Sequence, residues 1–337
     1  MSNIKFILER AQPGFAEKIQ QGEKFRTIVG HAKRLGMECL KYPGAKNCHI
    51  ISNGARSFVF YGAEVYVKHQ KHSRHNDKHD TKEMLRKIGV PVPAGAHINP
   101  GQESDLSSYY KKNGMPKCVL KPVDMNKGSG VFVGISSEDE LLSAYATISN
   151  HRCIVEELIP GDEHRLLVVG GRVVAVVKRV PANVVGDGTL TIEELVNAKN
   201  DKRKSIRFHS DNLIVVDEQA VEYLSSQGLG LSSVLEEGAV AYLRKVSNVS
   251  MGGDSIDVTE EVDQGFIDIA EKVWLAFPDR AVYAVDLMCE DIASSPSGQK
   301  HAVIEVNNRP MLAGLHGYPI HGPGRQVGKK IIEYVFG

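Results

Sequence analysis

Asp286 lies in the apolar run AVDLM, and Glu305-x-Asn307 lies in VIEVNN. An unpaired carboxylate in an apolar strand is costly, so both carboxylates call for partners. Positions i and i+2 of a strand point to one side, so Glu305 and Asn307 point together, and Asp286 on a paired strand can join them. Three hard oxygen donors converging in this way suit Mg2+, which keeps several waters and accepts phosphate oxygens from a nucleotide. The plainer reading leaves these carboxylates on the solvated face of an edge hairpin.

Two further segments carry chemistry in their residue types. In VLKPVDMNKGSGVFVG, Lys121 sits in a strand, and Gly128-Ser129-Gly130 lets backbone N–H groups approach an anion closely. Neither GxxxxGK[ST] nor a helix-opening GxGxxG is present. In IVEELIPGDEHR, Glu156 and Glu157 end a strand before the break at Pro160-Gly161. The backbone at 157–159 can read an adenine edge, and Glu163 can accept from ribose hydroxyls. An ordinary acidic strand-to-turn segment is an equally open reading.

The elements that must position these groups are legible from periodicity and turn chemistry. Residues 14–37 have helical spacing, with Gly36 as terminator. Short β-rich pieces follow at 48–52, 57–62 and 64–68. Asp80 can cap a helix carrying Met84, Leu85 and Ile88, and PVP at 91–93 forces an extended chain. Strands are expected at 117–123, 131–135, 152–158, 281–290 and 300–310, with two more around the Gly170-Gly171 hairpin. Ser137-x-x-Glu140 and Thr191-x-x-Glu194 are capping boxes, 260–277 is an amphipathic helix, and the last helix covers roughly 325–335. Hairpin signals outnumber βαβ units, which predicts α+β lobes with mainly antiparallel sheets.

Composition bounds the function. The chain has 337 residues, 41 Lys+Arg against 41 Asp+Glu, 42% hydrophobic and 24% charged residues, all ordinary for a globular protein of two to three lobes. Zero net charge argues against a nucleic-acid or membrane-surface binder. No apolar run approaches the ~18 residues that span a bilayer. MSNIKFILER carries charges where a signal peptide needs apolar residues, and the five cysteines are scattered without CxxC spacing. Both features predict a reducing cytoplasm. The histidine-rich run 69–79 and the basic run 199–207 read as solvated segments. A polyanion-binding role for 68–82 and 199–207 is the weaker alternative.

Taken together and in order, DKHDTKEMLRKIGVPVPAG, VLKP, the glycine turn, IPGDEHRLLVVGGRVVAVVKRV, VDLM and IEVNN resemble the ATP-grasp ligases. More narrowly, the chain resembles the ATP-grasp module of cyanophycin synthetase and bifunctional glutathione synthetase over about 75–337. The helix and short strands before it pattern as a small N-terminal α/β lobe (1–75), and the resemblance implies an N-lobe with the glycine loop (76–158) and a C-lobe with the metal site (159–337). A lid-like insertion would span about 187–245, and ATP would lie between the lobes. It implies that Lys78 and Lys121 contact ATP phosphates and that Gly128, Ser129 and Gly130 close over them. Glu156, Glu157, Leu158 and Ile159 would hold adenine against Met288 and Ile304, and Glu163 would bind ribose. Lys178 or Arg179 would face the phosphates. Asp286, Glu305 and Asn307 would hold two Mg2+.

The implied activity is an ADP-forming carboxylate–amine ligase working through an acyl phosphate on an amino acid or short peptide. A homo-oligomer stays open. Many dipeptide ligases of the superfamily carry an Arg two residues before the metal-binding Asp, whereas Ala284 stands there. Arg309 is the expected substitute for steadying the tetrahedral intermediate, with Arg244 as an alternative. The missing arginine also leaves room for a nucleotide-binding protein that has lost ligation.

Overall fold

The structure is a computed structural model describing residues 23–42, 48–61, 64–66, 78–114, 117–123, 130–205, 208–278, 280–307, 310 and 313–337. Helix α1 (Glu23–Arg34) leads into the antiparallel meander β1 (Glu38–Lys41), β2 (Cys48–Ser52), β3 (Ser57–Tyr61) and β4 (Glu64–Tyr66). Next come α2 (Lys78–Lys87), β5 (Gly95–Ile98), α3 (Glu103–Asn113), β6 (Cys118–Pro122), β7 (Phe132–Ile135), α4 (Glu138–Ile148) and β8 (Cys153–Glu157). These strands form a sheet in the order β5-β8-β6-β7. Leu120 and Val155 pack there against Leu106 of α3 and Leu141 and Tyr145 of α4.

The long pair β9 (Asp162–Val169) and β10 (Arg172–Val180) turns at Gly170-Gly171, as the sequence predicts. Both glycines have positive φ, 57° and 79°, the backbone that a two-residue hairpin requires. After β11 (Asn183–Val185), α5 (Ile192–Ser205), α6 (Glu218–Ser226), β12 (Val240–Tyr242) and β13 (Asp254–Asp257) come α7 (Gln264–Lys272), β14 (Val282–Cys289) and β15 (His301–Asn307). The chain ends in α8 (Ala313–Gly317) and α9 (Val327–Phe336). The second large sheet runs β13-β10-β9-β14-β15, and each pair of neighbouring strands in it is antiparallel.

Strand alternation divides this sheet's residues between two faces. Leu166, Val168, Val176, Val285 and Leu287 pack on Phe266, Ala270 and Val273 and on Leu85 of α2. On the opposite face, Leu167, Val169, Ala175 and Ala284 pack on Ile28 and Ala32 of α1, Ile51 and Phe60 of the meander, and Ile331 of α9. That face carries charged residues where this cover stops. The segment from β11 to β12 has its own core, including Val184, Ile192, Val196, Leu224 and Leu243.

Several local expectations meet the structure. Thr191 and Glu194 form the reciprocal box, Glu194 N donating to Thr191 Oγ1 (3.3 Å) and Thr191 N to Glu194 Oε2 (2.8 Å). Ser137 caps α4, but Glu140 reaches Ser136 N at 2.8 Å. Helix α2 begins at Lys78, so Asp80 lies in its first turn rather than capping it. The fold is the α+β architecture expected, with antiparallel sheets throughout its named strand pairs. No helix among the described residues is long and apolar enough to cross a membrane.

Candidate active site

Register gathers the charged residues of the second sheet into rows on one face. Asp257, Val177, Arg165, Asp286 and Glu305 stand side by side across β13, β10, β9, β14 and β15. The neighbouring row is Ser255, Arg179, Glu163, Met288 and Ala302. A bulge between the two rows leaves Ile304 without a residue opposite, and Asn307 pairs with Ala284.

Asp286 is 1% exposed, and its charge is answered from the next strand. Arg165 donates from Nε to Oδ1 and from Nη2 to Oδ2, each at 2.6 Å. Arg179 Nη1 lies 3.7 Å from Asp286 Oδ2 and donates to Glu163, to which Ser247 also donates. Burial pushes the Glu163 carboxyl up; Arg179 opposes that shift and Asp286 adds to it. Burial works against the Arg165 charge, yet Asp286, with Glu163 and Glu305 behind it, holds the guanidinium above its ordinary range.

The other half of the site comes from the β5-β8-β6-β7 sheet. Glu156 is buried between two ammonium groups, Lys82 donating to Oε1 and Lys121 lying 2.8 Å from Oε2. Gly95 stands opposite Glu156 on β5, and a Cβ there would meet Glu156 Cγ at 2.8 Å. Glycine at 95 thus keeps the space in which Glu156 lies. Burial pushes Lys82 well below the usual lysine range; Lys121 adds to the shift and Glu305 opposes it. Lys82 therefore feels both Lys121 of one sheet and Glu305 of the other. Beside it, Val303 N of β15 donates to Pro91 O at 2.8 Å.

The remaining sequence-derived candidates fall as follows. Lys78 is the first residue of α2, and Gly130 precedes β7 with φ of 68°. Gly128, Ser129 and Arg309 lie outside the described residues, as does most of the histidine-rich run. Glu157 accepts from Ala94 N at 3.0 Å and Lys300 Nζ at 3.2 Å, while Leu158 N donates to Lys117 O at 3.2 Å. Ile159 is buried, and Met288 and Ile304 are half-buried.

Three expectations need correction. Lys178 does not face this site: it is on the other side of β10 from Arg179 and pairs with Asp162 at 2.5 Å. Arg244 is bound within the β11–β12 segment, to Asp217 Oδ2 at 2.7 Å and to Val215 O at 3.1 Å, which removes it as the substitute arginine. The basic run is only partly solvated. Arg203 is 0% exposed and binds Asp254 Oδ1 (2.5 Å), Gly252 O (2.6 Å), Gly253 O (3.0 Å) and Asn212 O (2.9 Å). Lys199 binds the other Asp254 oxygen at 2.7 Å. Charges spent inside the protein cannot serve a polyanion.

Arg165, Lys82 and Ser247 escaped the sequence reading. Arg165 carried a signal, since it interrupts the apolar run of β9 as Asp286 interrupts that of β14. Lys82 and Ser247 carried none, because their partners lie 74 and 84 residues away.

The donor types fit Mg2+, two carboxylates opposite one another in register and one amide two residues on, all hard oxygen, with Arg165 holding both Asp286 oxygens in this structure. No group of three or more His, Cys, Asp or Glu that could hold a metal ion occurs among the described residues, so the amide of Asn307 is needed to complete the set.

A family profile described as an ATP-grasp domain matches residues 75–312. Cyanophycin synthetase of Crocosphaera subtropica is 33% identical over 309 residues, 87% of this chain and 35% of its own. The glutathione biosynthesis bifunctional protein of Streptococcus mutans is 36% identical over 264 residues, 76% of this chain and 34% of its own. The crystal structure of a bifunctional glutathione synthetase from Pasteurella multocida superposes with a TM-score of 0.67 at 26% identity, covering 93% of this chain and 44% of that one. The chain thus spans about a third of the length of the curated relatives it matches. A profile covering most of the sequence, and relatives about a third identical over three quarters or more of it, lead to one assignment: this chain belongs to the ATP-grasp family.

Proposed function

We propose that the protein is an ATP- and Mg2+-dependent ligase that joins a carboxylate to an amine, with ADP as product. The observation that carries this reading is the placement of Lys82: it shares Glu156 with Lys121 of one sheet, while Leu85 of its own helix packs under the other sheet, which carries Asp286 and Glu305 opposite one another. In this reading 76–158 and 159–337 are the two lobes and 187–245 is the lid.

A carboxylate is a poor electrophile, so it must first be activated. Its oxygen attacks the γ-phosphorus, the bond from that phosphorus to the β-bridging oxygen breaks, and ADP leaves. The amine, having lost its proton, then attacks the acyl carbon, and inorganic phosphate departs as the C–N bond forms. Phosphoryl transfer depends mainly on positioning and on charge neutralisation. Lys121 faces the polyanion, Lys78 opens the helix beside it, and the glycine turn ending at Gly130 covers it. Asp286, Glu305 and Asn307 would hold Mg2+, which supplies further neutralisation of the triphosphate. Glu156 to Ile159 border the adenine, against Met288 and Ile304, and Glu163 faces the ribose. Arg309 remains the proposed oxyanion partner. Excluding water protects the acyl phosphate from hydrolysis, which is the task of the lid.

Amino acids and short peptides are the substrate class this reading supports, by similarity to the named relatives. The test is ADP release over pairs of amino acids and dipeptides, with product mass spectrometry. Glu305→Ala and Lys121→Ala should each lower substrate-dependent ADP release at least ~100-fold with an unchanged fold by circular dichroism. Near-normal turnover in either variant removes the mechanism. Burial of Ala284 where dipeptide ligases carry arginine favours a second reading, nucleotide binding without ligation. ATP binding with no ADP release over the whole panel would select it.

A further inference from the structure

The Lys82–Glu156–Lys121 cluster has one more cation than anion, and its anion is the most deeply buried member. Glu156 is 3% exposed at its side chain and Lys82 5%, whereas Lys121 is 13% exposed. Lys82 and Lys121 each hold a different Glu156 oxygen. Lys121 is thus the member that can turn toward a ligand. If Lys121 were the sole partner of Glu156, turning away would strand a buried, unpaired carboxylate. The second ammonium removes that penalty.

From this arrangement we infer that Lys82 is a positioning residue for the nucleotide: it holds Glu156 so that Lys121 can leave that carboxylate for a phosphate. The inference rests on the nucleotide reading of the site and goes beyond it by assigning a task to a residue that need not touch ATP. The support for Lys82 is rigid. Its helix α2 anchors Leu85 in the core under β9 and β14. Thr81 beside it is buried too. Gly95 leaves the gap into which the Glu156 side chain folds. A purely structural cluster would stabilise the fold and leave nucleotide affinity alone.

The test is equilibrium binding of ADP with Mg2+, and of adenosine as a phosphate-free probe, to the full chain. Lys82→Met should weaken ADP binding ~10–100-fold and raise the KM for ATP with a much smaller change in kcat, because Lys121 is then trapped on Glu156. Adenosine affinity should stay within ~3-fold. Lys82→Arg keeps a cation on Glu156, and ADP affinity should stay within ~3-fold of the unmutated protein. Unaltered ADP affinity in Lys82→Met, or a Lys82→Arg protein that binds ADP as weakly as Lys82→Met, overturns the inference. If Lys82→Met does not fold, Lys82→Gln takes its place with the same expected and overturning results. Nucleotide binding without ligation would sink the ligase reading and leave this one standing. A protein that binds no ADP at all ends both.

Discussion

Arg165 lies against Asp286 as a two-pronged partner, Nε and Nη2 each 2.6 Å from a different carboxylate oxygen, on adjacent strands of one sheet. A bidentate guanidinium–carboxylate pair is stronger and more directional than a single contact. Its burial also makes it unforgiving, since removing one member leaves the other charged and desolvated.

Arg165→Ala should therefore cost about 3–5 kcal/mol, read as a lower urea midpoint at pH 7. The double variant Arg165→Met/Asp286→Leu should recover most of that loss, because two apolar side chains need no partner. A single variant within ~1 kcal/mol of the unmutated protein would show that the pair contributes little to the fold.

Ala284 has a physical reason to be small. It is 0% exposed in the core that joins β9, β10 and β14 to α1, the meander and α9. A guanidinium at this position would displace Ile28, Ala32 or Ile331 and bury a charge among apolar side chains. Ala284→Arg should lower stability by more than ~3 kcal/mol and leave ADP release no higher than before. Gain of turnover with an unchanged unfolding midpoint would contradict this account.

His164 points to the opposite face, where Cys289 Sγ lies 3.5 Å from its Nδ1. Burial pushes its pKa down to about 4, from an ordinary value of 6.5. A depressed folded-state value means that the unfolded chain takes up the proton first. Its contribution to stability is thus intact above pH 6.5 and is lost as pH falls from there toward about 4. Full loss amounts to about 3 kcal/mol. Urea unfolding at intervals from pH 7 to pH 4 should show this slope, and His164→Gln should flatten it. An equal slope in that variant would assign the acid sensitivity elsewhere.

Some of the site was legible because its signals are local. Asp286, Glu305 and Asn307 stood out as polar residues in apolar strands, and alternation alone put Glu305 and Asn307 on one side. The hairpin at Gly170-Gly171 and the box at Thr191 and Glu194 were readable for the same reason, since each is complete within a few residues. Lys178 and Arg179 show the limit. Alternation says that they face opposite ways, but only pairing with β9 says which one meets Glu163. Lys199 and Arg203 look like a solvated basic face until Asp254 arrives from a strand some fifty residues on.

The amino-acid sequence by itself determined most of the long helices and strands, the tight turns, and a supply of carboxylates and lysines suited to a nucleotide and a divalent cation. Those follow from side-chain period, backbone preference and charge, which act over a few residues. Only the tertiary structure decided that Arg165 answers Asp286, that Lys82 shares Glu156 with Lys121, and that the meander covers Ala284. Each of those pairings depends on strand register and on how separate sheets pack. Both are set by burial summed over the whole chain, and no short window contains it.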